Sequence, residues 1–266
     1  MVFKMIKKCF TINQNRTTLE FKEYEKLIKD GLFQAVEIFY PYDKTKEQLK
    51  TYTNNVYNLM KYNIEVVLHL PHGYRSDLLN EDTYDVVIQR FKDAIDYARK
   101  FNVKKLTLHL GSAIQNNERI DRNILIDKCI KNIQILSDYC YPMNLMIENM
   151  PGDNELGYSP QEIKYLIEKS NRNNVKFILD FGHANVSCYT NEEYINVLKP
   201  YLMHLHISDN DTSTDQHKPI GCGNIDFVKL FKMIDFYNEL YCLEIIYKDH
   251  NDLIEYEKNL MSKIFL

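Results

Sequence analysis

One unit recurs along this chain: a short apolar, β-branched run followed by a longer amphipathic segment, eight times over. The apolar runs fall at 4–12, 36–40, 66–69, 105–110, 144–148, 176–180, 202–207 and 240–246. Runs such as KFILD and LTLHL are almost continuously apolar, as parallel strands covered on both faces should be. Between them, helical patterns are expected at 21–29, 46–62, 84–101, 120–138, 160–171, 191–198, 227–238 and 253–264. The third places Val87, Ile88, Phe91, Ile95 and Ala98 on one core-facing stripe. Ser159-Pro160-Gln161-Glu162 and Thr190 with Glu193 read as capping boxes, and Asp226 reads as a cap before Phe227. Eight strand–helix units over about 250 residues predict a (β/α)8 TIM barrel, one α/β domain spanning 1–266. An open doubly wound sheet is the competing arrangement, but no GxGxxG follows the first strand.

Composition narrows the function classes. A net charge of −4 provides no global basic field for nucleic acid, although a local patch or bound cations could still attract phosphate. The six cysteines are scattered without a CxxC pair, which suits a reduced, cytoplasmic protein. The opening MVFKMIKKCF is too short and too charged for a signal peptide, and no apolar run is long enough to cross a membrane. A homo-oligomer paired through outer helices is open to such a barrel, though no exposed stripe marks the face.

Punctuation locates the working end. Of eight glycines, Gly73, Gly111, Gly152, Gly157, Gly182, Gly221 and Gly223 fall just after strands three to seven. Close backbone approach is therefore concentrated at the C-terminal face, where barrel enzymes keep their sites.

The polar residues at those strand ends are His72 after strand three, His109 at four, Glu148 at five, and Asp180 with His183 at six. His206, Asp215 and His217 follow at seven, and Glu244 at eight. A lone strand histidine is usually a satisfied core residue. Five of the eight histidines and four carboxylates at matching ends of six successive strands are another matter. Left unpaired, buried charges on that scale cost several kcal/mol each, and divalent cations would neutralise them. An imidazole–carboxylate set without cysteine suits Zn²⁺ or Mn²⁺, with Co²⁺ or Fe²⁺ open, better than Ca²⁺. Nine donors exceed one coordination shell, so one to three ions are expected. His69 and His204 lie one strand turn deeper and read as interior packing or as donors to the ligands.

With IEN at strand five, LDFGHA at six, HLHISDN…DQH…GxGxID at seven and LE at eight, the chain resembles the xylose-isomerase-like TIM-barrel superfamily. That superfamily includes sugar phosphate isomerases and epimerases and the endonuclease IV type of AP endonuclease. The isomerase resemblance implies one divalent ion on Glu148, Asp180, His206 and Glu244. Glu148 and Glu244 would be the catalytic acid and base, and His183, His217 and Tyr74 would face a sugar or sugar phosphate. The strand-seven loop departs from the ketose 3-epimerase pattern, with Asp215-Gln216-His217 and no arginine. The endonuclease resemblance implies three zinc ions. One takes His72, His109 and Glu148; Glu148 bridges to a second with Asp180, His206 and Glu244; a third takes His183, Asp215 and His217. DNA would then be the partner. Against it, the loops after strands six and seven look short for a DNA cleft, and YPYDKTKEQ after strand two offers little basic surface. The isomerase or epimerase is the preferred expectation, the nuclease the alternative, and a non-catalytic metal- or sugar-binding barrel a third.

Overall fold

The computed structural model describes residues 6–12, 20–115 and 118–265. Eight parallel strands close into a barrel: β1 (Lys7–Ile12), β2 (Ala35–Phe39), β3 (Glu65–His69), β4 (Lys105–Leu108), β5 (Asn144–Glu148), β6 (Val175–Asp180), β7 (Leu202–Ile207) and β8 (Leu240–Leu243). Each strand pairs with its sequence neighbours, and β8 closes on β1 with Cys242 opposite Cys9. The first apolar run begins at residue 4, and its first two residues lie outside the described chain.

The period of two sorts side chains into two layers. Phe10, Val36, Leu68, Leu106, Ile147, Leu179, Leu205 and Leu243 point outward into one large core beneath the helices. Cys9, Ala35, Val67, Met146, Ile178, Leu240 and Cys242 form a smaller apolar plug inside the barrel. Above that plug the inward positions turn polar, and the site begins there.

The outer helices are α1 (Phe21–Lys29), α2 (Lys46–Met60), α3 (Tyr84–Arg99), α4 (Arg122–Cys140), α5 (Pro160–Ser170), α7 (Asn191–Leu198), α8 (Phe227–Met233) and α9 (His250–Ile264). The caps explain where they start. Thr190 and Glu193 form the expected reciprocal box, and Asp226 accepts from the Lys229 N–H. Ser159 caps α5 as expected, but Glu162 turns away from the box to hold Arg122 and the Gly157 N–H. α4 starts two residues later than its apolar pattern suggests because the Asp121 carboxylate caps at Asn123.

Two elements go beyond the sequence expectation. A small antiparallel pair of two-residue strands, Ile114–Gln115 against Glu118–Arg119, follows β4. The six-residue helix α6 (Phe181–Val186) follows β6 without a loop, nucleated by Asp180, whose Oδ1 accepts the His183 N–H at 2.6 Å. A helix that short has too few turns to show an amphipathic period.

Gly111 shows why glycine is required at this end. Its φ is +118°, and a Cβ there would lie 2.3 Å from Asp77 Oδ1. Asp77 in turn accepts from the Leu79 and Ser112 N–H groups, tying the β3 and β4 loops together.

Candidate metal centre

β5 ends in Glu148, and Asn149 just after it braces the next strand. Its amide donates to the Asp180 carbonyl at 2.9 Å, and its Oδ1 accepts the Asp180 N–H at 2.8 Å. Asp180 is therefore locked at three points, with Oδ1 spent on capping α6. Its Oδ2 is buried without a hydrogen-bond partner. A buried carboxylate oxygen without a donor is costly, so this atom marks where a cation fits.

Oδ2 faces the ring of His206, whose Nδ1 lies 3.9 Å away. The same nitrogen is 3.0 Å from Glu148 Oε1 and 3.0 Å from Glu244 Oε2. Three carboxylates thus converge on one fully buried imidazole nitrogen. Glu148, Asp180, His206 and Glu244 have ligand atoms all within 4.8 Å of one another. This quartet is the one expected from the motifs, brought together from four consecutive strands.

Two further donor groups adjoin it. His183, Asp215 and His217 converge, with Asp215 Oδ2 3.4 Å from His183 Nε2 and 2.8 Å from His217 Nε2. His69, His109 and Glu148 form the other group. Glu148 Oε2 is 2.9 Å from His109 Nε2 and 3.7 Å from His69 Nε2. The two oxygens of Glu148 therefore face different groups. His69, expected to be deeper, supplies the donor atom in this set. His72 stands beside it, its ring centre 4.9 Å from that of His69 and 5.0 Å from that of His109. Tyr74 starts a single 3₁₀ turn, and its side chain lies outside the described residues.

Backbone carbonyls orient three of these rings. The Nδ1 of His69 faces the Leu70 carbonyl, that of His183 the Asn149 carbonyl and that of His217 the Glu244 carbonyl, at 2.8 to 2.9 Å. A carbonyl can only accept, so each Nδ1 carries hydrogen, and Nε2, the nitrogen that faces the carboxylates, is the one that would offer its lone pair to an ion. That is the tautomer metal ligation requires.

The electrostatics of the protein groups express the same demand for positive charge. Burial works against protonating His206, yet Glu244, Glu37 and Glu148 hold its pKa well above the ordinary histidine value. His183 is raised against burial by Asp180, Asp215 and Glu148. Asp180 is pushed up to about 7 by burial, with Glu148, Glu244 and Asp215 adding repulsion. His72 is driven down to about 2, chiefly by burial, with repulsion from His69 and His109 adding to it. The surrounding carboxylates thus favour added positive charge at His206 and His183. The donor chemistry, the orphaned oxygen and the oriented lone pairs all fit divalent metal.

Three residues here escape sequence reasoning. Glu37 on β2 reads as one acidic residue in a strand, yet it lies under His206. His69 carries no signal separating a ligand from a packed histidine. Glu155, in the loop after β5, has its carboxyl raised by burial and lies near enough to His109 and His183 to feel their charge; in sequence it is an ordinary loop acid.

The model of the family described as "Xylose isomerase-like TIM barrel" matches residues 26–263, and the chain belongs to that family. Curated relatives are distant. An uncharacterized protein of Methanocaldococcus jannaschii is 27% identical over 186 residues, covering 65% of this chain. The match takes in 61% of that relative's length. A Mesoplasma florum protein named "Probable endonuclease 4" is 25% identical over 232 residues, 78% of each chain. Among solved structures, a D-tagatose 3-epimerase-like protein superposes with a TM-score of 0.80 at 21% identity, covering 96% of this chain and 97% of its own. A 3-keto-D-glucoside 4-epimerase from E. coli superposes with a TM-score of 0.75 at 16% identity, covering 98% and 100%. At these identities the superpositions establish the fold. Among the described residues, no helix is long and apolar enough to cross a membrane.

Proposed function

We propose that this protein is a divalent-metal-dependent isomerase or epimerase acting on a sugar or sugar phosphate. Its ion, Zn²⁺ or Mn²⁺, would be held by Glu148, Asp180, His206 and Glu244. The observation that carries the reading is the placement of Glu148 and Glu244. Both carboxylates reach the same nitrogen of one buried ring, from strands on either side of β6 and β7, at the floor of the C-terminal face. When bound, the ion would polarise the adjacent carbonyl and hydroxyl oxygens of the substrate.

One glutamate carboxylate then accepts the proton on the carbon next to the carbonyl. The C–H electron pair moves into the carbon framework, and negative charge settles on the carbonyl oxygen. The other glutamate, protonated, delivers a proton to the opposite face, which inverts that carbon. Return to the neighbouring carbon gives isomerisation instead. His183 and His217, whose Nε2 atoms lie beside Asp215, would hold substrate hydroxyls, with Tyr74 as a further contact.

A second reading, an endonuclease IV-type phosphodiesterase acting at abasic sites in DNA, is favoured by one observation. Glu148 divides its oxygens between two donor groups, and His183, Asp215 and His217 make a third. That arrangement has room for three ions, and several of the distant relatives carry the endonuclease name.

Elemental analysis after chelator-free purification separates these. One ion per chain, with solvent deuterium entering a sugar carbon, supports the isomerase. Three ions with incision of an abasic duplex replaces it by the nuclease. Bound metal with neither activity leaves a binding barrel. No bound metal, and no uptake of added Zn²⁺ or Mn²⁺, defeats both enzyme readings.

A further inference from the structure

His206 is oriented differently from the other oriented ligand histidines. Where His69, His183 and His217 rest Nδ1–H on a backbone carbonyl, His206 turns Nδ1 into the quartet and leaves Nε2 pointing down the barrel. There it meets a carboxylate, Glu37 Oε2, at 2.8 Å. Glu37 comes from β2, across the barrel from β7, and is fully buried. Around it the barrel offers donors. The Thr107 hydroxyl donates to Oε1 at 2.7 Å, and His204 Nε2 lies 2.9 Å from Oε2. The Cys242 thiol adds a weak contact at 3.7 Å. Among the described residues no lysine or arginine pairs with Glu37, so its charge is compensated through these donors.

We infer that Glu37 is a positioning residue: it holds the proton of His206 on Nε2, and so directs the Nδ1 lone pair at the quartet formed with Glu148, Asp180 and Glu244. A carboxylate does this better than a carbonyl because its full negative charge raises the basicity of the far nitrogen. Thr107 fixes the rotation of the carboxylate, leaving Oε2 aimed at the two histidines. The ligand atoms of Glu37, His204, His206 and Cys242 also lie close enough to suggest an ion of their own. Two features argue against that. Both Glu37 oxygens already accept strong hydrogen bonds, and an ion on Nε2 of His206 would put the proton on Nδ1, facing the quartet.

The inference rests on the quartet being a metal site, and the test keeps the two apart. Zn²⁺ affinity is measured by competition with a chromophoric chelator for the wild type and for Glu37→Gln, which keeps shape and an acceptor oxygen but loses the charge. The Glu37→Gln variant should bind about 10- to 100-fold more weakly, with the thermal midpoint of the metal-free protein little changed. Equal affinity in a folded Glu37→Gln overturns the inference; a wild type that takes up no metal overturns the quartet itself. Histidine side-chain ¹⁵N NMR on the zinc-loaded wild type needs no variant. Hydrogen on Nε2 of His206, with metal on Nδ1, is the expected result. Metal on Nε2 refutes the role of Glu37, whether or not the variant folds.

Discussion

At the lower end of the barrel, Lys105 is buried between Glu65 at 3.0 Å and Glu239 at 2.9 Å, all three at the starts of strands. At the upper end, the ion pairs of Glu148, Asp180, Asp215 and Glu244 are with histidines. Both ends bury charge; among the described residues no lysine or arginine pairs with Glu148, Asp180, Asp215 or Glu244, whereas Lys105 is a permanent cation at the lower end. Its partners also reach solvent, with side chains 32% and 40% exposed, whereas Glu148 is 1% exposed. An ammonium flanked by carboxylates is a finished structure. Imidazoles flanked by carboxylates are balanced only while protonated, and a divalent ion can replace those protons. The difference separates a structural closure from a site.

The comparison breaks most sharply at the glutamates. Glu148→Gln and Glu244→Gln should each lower turnover of a competent sugar substrate by about 10²- to 10⁴-fold. Near-ultraviolet circular dichroism should show an unchanged fold. Wild-type turnover in either variant removes it from acid–base chemistry.

Asp180→Asn probes the crowding directly, and its two effects should have opposite signs. Removing one of three converging carboxylates should reduce bound metal, read by elemental analysis. The same change should raise the thermal midpoint of the metal-free protein, because repulsion is relieved. A metal-free variant melting below the wild type would show that the upper end is not under electrostatic strain.

Lys105→Met at the lower end should do the reverse. Stranding Glu65 and Glu239 should cost about 1–3 kcal/mol in urea unfolding, below the range for a fully buried pair because both carboxylates reach water. Metal content should not change. A fall in metal content would mean the two ends are coupled.

The smallest effect is a pH dependence. The Lys105 pKa is raised: burial lowers it, but Glu65 and Glu239 outweigh burial. A raised lysine contributes stability that is fully present below the unfolded-chain value of about 10.4 and is lost as pH climbs through the folded value. Urea midpoints at about pH 8 and pH 11 should therefore fall further for the wild type than for Lys105→Met. Equal losses would mean that Lys105 is not the group responsible.

Much of this molecule is legible in order along the chain because its causes are local. A run such as LTLHL declares a covered strand, and Thr190 with Glu193 declares a helix start. His206, Glu148, Asp180 and Glu244 lie near matching ends of successive apolar runs, and the resemblance to the superfamily is what singles them out as one ligand set. Element ends were harder. β8 stops at Leu243, leaving Glu244 just beyond the ladder, and α6 is too short to show a period.

Glu37 and His69 were out of reach for another reason. Glu37 reaches His204 and His206 across 167 and 169 residues of sequence, and nothing in the AVEIF strand announces that contact. His69 becomes a donor because of the side its ring presents to Glu148. Periodicity tells which face a residue takes and how high it stands on its strand. Closure of the barrel decides which opposing strand it meets, which imidazole nitrogen keeps its proton, and which carboxylate oxygen is left without a donor. Those are distances between residues far apart in the chain, so they exist only once β8 has paired with β1.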